Sequence, residues 1–174
     1  MSETMIGPRY VRAMAAYNAE MNRRLYIAAA GLSDEERRRE RGAFWGSIHG
    51  TLCHLAWADQ NWMSRFAGWD APPVGQKQSA SFIADFGALQ DWRARSDERL
   101  LDWAKSIDEA WLAQDLVWFS GTVQREARAP RDFLLVHLFN HQTHHRGQVH
   151  AMITAAGASV GDTDLVMIVS PATV

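Results

Sequence analysis

The 174-residue chain holds one cysteine, five prolines and three tyrosines, and no charge of either sign dominates it. A single cysteine excludes an intramolecular disulfide framework and every cysteine-built zinc knuckle. Any metal site must therefore be made from histidine and carboxylate. The 18 basic and 20 acidic residues leave a net charge of −2, which gives no field for a phosphate backbone. The one arginine cluster, Arg37, Arg38, Arg39 and Arg41, is interleaved with Glu35, Glu36 and Glu40 and reads as a solvated helical face. Long apolar runs are also missing. The longest uncharged stretch, residues 43–58, is too short to span a bilayer and contains His49 and His54. The first ten residues lack the basic-then-apolar order of a secretory signal. The expectation is a cytoplasmic protein bound to neither nucleic acid nor membrane.

Against these absences stand seven histidines and eight tryptophans, in a chain whose 47% apolar content suits a packed core. No low-complexity linker or repeat divides the chain, so residues 1–174 read as one domain. Pro8 opens a first helix with Tyr10, Met14, Tyr17, Met21 and Leu25 at helical spacing and Gly31 as its stop. Ser33 and Glu36 form a capping-box pair before a short charged segment. Residues 46–68 form a second helix, and 70–78, with Pro72, Pro73 and Gly75, a loop. Ser79 or Ser81 starts a third helix running to about Ser106, with a short helix near 108–114. Residues 116–119 and 122–127 pair as a hairpin about a tight Ser120-Gly121 turn. Pro130 then precedes a fourth long helix ending at Gly157, and the tail is irregular. The fold class is all-α, a four-helix bundle with a small β-hairpin before the last long helix.

Five of the seven histidines fall between His137 and His150. On a helical wheel His141 and His145 lie about 40° apart, within about 80° of Leu134, Leu138, Val149 and Met152. Imidazoles in the middle of an inward stripe need partners, either neighbouring hydrogen-bond groups or a metal ion. The i, i+4 spacing presents two nitrogens to one ion. A third ligand must come from elsewhere. His54, at the edge of the second helix's apolar stripe beside Gly50, Ala58 and Asn61, is a better candidate than His49, about 140° away. The small neighbours are expected to leave room for an ion and a substrate. His137 and His144 flank the stripe as supporting residues, whereas His150 faces the opposite side. Cys53 reads as a small buried thiol. Asp59, inside the apolar stripe, either orients a ligand histidine or pairs with an arginine. Gln148, Asn61 and Trp57 are candidate pocket groups. Val136, Phe139 and Thr143 form a strip facing away from the histidines, read as a homodimer seam or as packing against the first helix.

The segment TLCHLAWADQNWMSRFAG, with His54, Asp59 and Trp62, and the later HLFNHQTHHRGQ resemble the DinB/YfiT-like family of small metal-binding helical bundles. This is the damage-inducible family, not the polymerase that shares its name. The resemblance implies an up-down-down-up bundle, a homodimer, and a divalent metal held by His54, His141 and His145. It further implies a metal-dependent enzyme, since characterised members include thiol-dependent S-transferases and a mycothiol-dependent isomerase. The isomerase branch has a glutamate where this chain has His141. Imidazole ligands suit zinc, nickel, copper or iron, with zinc or nickel expected. The reading is a transferase joining a low-molecular-weight thiol to a reactive small molecule. A hydrolase of a small ester or amide, or a non-catalytic metal-binding dimer, are the alternatives.

Overall fold

Four long helices are set by local signals that can be read residue by residue. The computed structural model describes residues 4–121, 123–172 and 174. Helix α1 (Pro8–Ala30) begins with proline in its first turn and stops at Gly31. Helix α2 (Asp34–Arg38) is capped by the Ser33 hydroxyl, which accepts from the Glu36 N–H. Helix α3 (Ile48–Phe66) is capped by Ser47, which accepts from Gly50. Helices α4 (Phe86–Ser106) and α5 (Glu109–Leu112) follow, then strands β1 (Asp115–Ser120) and β2 (Arg125–Pro130), then α6 (Arg131–Ala155). Each serine or aspartate cap satisfies an amide that the first helical turn leaves without a partner.

Packing partners give the direction of every helix. Tyr26, late in α1, stacks on Phe86 at the start of α4, so these two run antiparallel. His49 and Phe86 meet near the starts of α3 and α4, and Phe66 meets Trp103 near their ends, so α3 and α4 run parallel. Trp62 meets His137 while His54 meets His145, which makes α6 antiparallel to α3. Tyr10 meets Phe139 and Tyr17 meets Arg146, which makes α6 parallel to α1. The result is an up-down-down-up four-helix bundle of α1, α3, α4 and α6.

Two parallel neighbours cannot be joined by a tight turn. The chain between α3 and α4 therefore runs back along α3, carrying a 3-10 turn at Gln76–Ser81. This crossover corrects the expectation that the third helix begins at Ser79 or Ser81. Asp85 is the cap, accepting from the Ala88 N–H, and the Ser79 hydroxyl is turned instead to a histidine of α3.

The hairpin also differs from expectation. Ser120 pairs with Arg125, so the connection spans residues 121–124 rather than a two-residue turn. Gln124 within it has φ 53°. This register sets Ala129 opposite the buried Leu116, so both pack on the apolar cluster that holds Leu135 and Phe139. Thr122, expected to start the second strand, lies outside the described residues. The tail contains a short helix, α7 (Leu165–Ile168), where an irregular segment was expected. Tyr17 and Arg24 tie the chain just before it to α1 through the carbonyls of Thr163 and Asp162.

The interior has two apolar clusters. One gathers Leu25, Ile48, Leu52, Leu89, Val149 and Ile153, the other Val11, Met63, Leu100, Leu135, Leu138 and Phe139. Between them lies a buried polar waist drawn from all four helices, with Asn18, Asn22, Asp59, Arg93, Gln142 and Arg146. Arg93 binds Asp59 directly and Asp97 at 2.8 Å. Of the strip read as a homodimer seam or as packing against the first helix, Phe139 takes the second reading, while Val136 is half-buried and Thr143 exposed. Phe139 is fully buried, edge-on to Tyr10 at 6.0 Å, because α1 covers that face of α6.

Candidate metal centre

The antiparallel pairing of α3 and α6 brings His54 against His141 and His145. One nitrogen from each ring lies within 4.8 Å of the others. Nε2 of His54 is 3.2 Å from Nε2 of His141, and the ring centres of His141 and His145 are 4.5 Å apart. Outer partners orient two of the rings. The buried Ser79 hydroxyl is 2.9 Å from Nδ1 of His54, and the Gln148 side-chain oxygen is 2.8 Å from Nδ1 of His145. With Nδ1–H donated outward in each case, the Nε2 lone pair is left to face inward.

All three rings are neutral at physiological pH. Burial, then the neighbouring His141 and His145, pull His54 down to about 3. Burial, then His145, His137 and His144, pull His141 down to about 4. Burial also lowers His145, with the Gln148 hydrogen bond opposing it. Neutral imidazoles are the form that ligates metal. Two inward-facing nitrogens 3.2 Å apart, one with its lone pair fixed by Ser79, call for a cation or a proton between them. A neutral His141 keeps one N–H: on Nε2 it donates to His54, and on Nδ1, which is buried without a hydrogen-bond partner, it leaves both Nε2 lone pairs to a cation. The donor set therefore fits a divalent ion.

The walls are aromatic. Trp45 stacks on His54 with ring centres 4.0 Å apart and planes at 21°. Gly50 permits this approach, because a Cβ there would lie 2.5 Å from the Trp45 carbonyl oxygen. Gly50 was expected to leave room for a substrate; that room is taken by the Trp45 backbone. Trp57 lies 6.0 Å from His54, held by a 2.8 Å bond from its indole N–H to the Val74 carbonyl on the crossover.

The remaining candidates divide. Gln148 touches the cluster directly. His137 and His144 are exposed at its rim, with ring centres 5.9 Å from His141 and 4.8 Å from His145. Neither hydrogen-bonds to the three rings. Asn61 is half-buried, and none of its hydrogen bonds reaches them either. Asp59 takes the arginine alternative, facing Arg93 in the waist. His49 is buried against the Ile83 carbonyl at 3.0 Å. The Cys53 thiol donates to that same carbonyl at 3.2 Å, and burial raises its pKa. Sequence reasoning missed Ser79 and Trp45. Ser79 was read as a helix cap because nothing local announces a crossover.

A three-histidine cluster set between antiparallel helices of an up-down-down-up bundle defines a class of small helical protein with a metal-binding centre. The chain belongs to the DinB family, whose model matches residues 1–172. It is 24% identical over 152 residues to Protein DinB of Bacillus subtilis (strain 168), covering 85% of this chain and 87% of that protein. Among solved structures it is similar to YfiT of Bacillus subtilis, described as a probable metal-dependent hydrolase with an unusual four-helix bundle topology. That match has a TM-score of 0.69 at 14% identity and covers 91% of this chain and 94% of that one. It is also similar to a DinB-like protein of Bacillus cereus ATCC 10987, with a TM-score of 0.60 at 18% identity over 82% and 89% of the two chains.

Proposed function

We propose that His54, His141 and His145 hold a divalent metal, zinc or nickel, and that the protein is a metal-dependent enzyme acting on a small molecule. The supporting observation is what surrounds the three rings. The forces on His54 and His141 come from burial and other imidazoles, with no carboxylate among them. The one thiol is turned to a backbone carbonyl and Asp59 to Arg93. Among the described residues the Cys53 thiol does not reach the centre and the buried Ser79 hydroxyl is engaged with Nδ1 of His54, so in this reading the nucleophile comes from solution. A bound divalent ion with an open position would acidify such a nucleophile, a low-molecular-weight thiol or a water.

The chain's own part is to hold the ligands and shape the approach. Ser79 and Gln148 fix the inward nitrogens. Trp45 and Trp57 present flat apolar faces suited to an organic electrophile. The exposed imidazoles of His137 and His144 at the rim can take or return a proton. The first reading is transfer of a low-molecular-weight thiol. Hydrolysis of a small ester or amide is the second, favoured by the description of YfiT.

Metal-loaded protein should be assayed with a panel of cellular thiols and reactive electrophiles, and separately with small esters and amides. Conjugation that depends on the thiol and on His141 supports the first reading. Cleavage without thiol supports the second. Tight metal retention with no turnover of either kind would contradict both and leave a binding protein.

A further inference from the structure

On the side of α6 away from the three histidines, a cavity of about 200 Å³ opens between α1, α6 and the segment before α7. Arg146 lines it and is only 4% exposed. No carboxylate among the described residues forms an ion pair with this guanidinium. Asp59 and Asp97 act on it through space, but both contact Arg93. Its hydrogen bonds are two long ones, 3.4 Å to the Gln142 side-chain oxygen and 3.3 Å to the Thr143 hydroxyl, and its underside lies 5.5 Å from the Tyr17 ring. A buried guanidinium with five donors and no contacting anion is an expensive arrangement that an anion would relieve.

The rest of the lining carries no negative charge. Thr143 and His150 line it as well, the Thr143 hydroxyl donating to the Phe139 carbonyl at 2.9 Å and His150 Nε2 lying 3.4 Å from the Gly161 carbonyl; no aspartate or glutamate enters it, and the Tyr17 hydroxyl is bound to the Thr163 carbonyl at 2.6 Å. Gly147 sits in the middle of α6, where glycine weakens a helix. A Cβ there would meet nothing within 4 Å, so no packing contact demands glycine. A side chain at that position would instead project beside the cavity that Gly147 lines.

We propose that this cavity is a binding site for a small oxyanion, a phosphate or carboxylate group, held by the Arg146 guanidinium and kept open by Gly147. It is separate from the metal centre and does not depend on the function assigned to that centre.

The test is calorimetric titration of the metal-loaded full chain with inorganic phosphate and with acetate at matched ionic strength in chloride. Saturable binding of at least one anion is expected, and the tighter of the two identifies the group. Gly147→Leu, a better helix former whose side chain projects beside the cavity and obstructs its opening, should abolish this binding while leaving metal content unchanged. Arg146→Gln should weaken it by about tenfold or more. If Arg146→Gln does not fold, Gly147→Leu decides. Absence of saturable binding to either anion, or binding that survives Gly147→Leu and so belongs to the bound metal, would overturn the proposal.

Discussion

The buried Ser79 hydroxyl lies 2.9 Å from Nδ1 of His54, and so decides which nitrogen of that ring faces His141. Ser79 belongs to the crossover that two parallel helices require, so the bundle's topology supplies a second support for the proposed metal site. Ser79→Ala should lower metal affinity by about 10- to 100-fold, the usual effect of losing a group that orients a ligand. Competition against a chelator of known affinity measures it, and the fold should be kept. An unchanged affinity would make the hydroxyl irrelevant to the site.

Acid should act on the metal-free protein through the same rings. His54 titrates near 3 and His141 near 4, against an ordinary value of 6.5. Below about 6.5 the unfolded chain takes up protons that the folded rings refuse, so stability falls as pH drops towards 4. Above that window these two groups contribute no slope. The urea midpoint of chelated protein should be lower at pH 5 than at pH 7.5, and the gap should narrow in His141→Ala. Asp97, raised to about 6 by burial, acts in the opposite sense over this window, so the comparison with the variant decides: a gap unchanged in His141→Ala would contradict the burial of that ring.

Asp59 and Arg93 form a structural pair in the polar waist, both almost fully buried. Arg93→Met would leave Asp59 and Asp97 without their cation and should cost about 3–5 kcal/mol, the range for breaking a buried pair. Metal content of the folded fraction should be unchanged. Equilibrium unfolding with metal analysis separates the two effects. A loss of metal at full stability would restore Asp59 as a support for the histidines.

Phe139 lies wholly inside the apolar cluster of Val11, Met63 and Leu135, against Tyr10. Phe139→Ala should cost about 3–5 kcal/mol through cavity formation. Phe139→Glu should unfold the chain rather than dissociate an assembly. Urea denaturation and light scattering check this; a folded Phe139→Glu protein with altered oligomeric state would return the residue to the surface.

Local signals made the bundle legible. Pro8, Ser33, Asp108 and the Gly31 and Gly157 stops all stand at or next to observed helix ends. The inward stripe of α6 put His141 and His145 on one face, where they stand, because a 3.6-residue period reports directly which side chains share a face. His54 followed from the edge of the α3 stripe. What escaped was long-range. Ser79 reads as a cap until the crossover carries it to His54, 25 positions away. Trp45 sits on that ring only because Gly50 admits its backbone. Phe139 had two defensible environments on the wheel, and tertiary packing against α1 chose between them.

Metal analysis by mass spectrometry on protein purified without chelator tests the central claim most directly. The account predicts about one zinc or nickel ion per chain in the parent and loss of it in the His141→Ala, His145→Ala double variant, with the helical fold retained. A folded parent with no stoichiometric metal, or a double variant that keeps its metal, would contradict it.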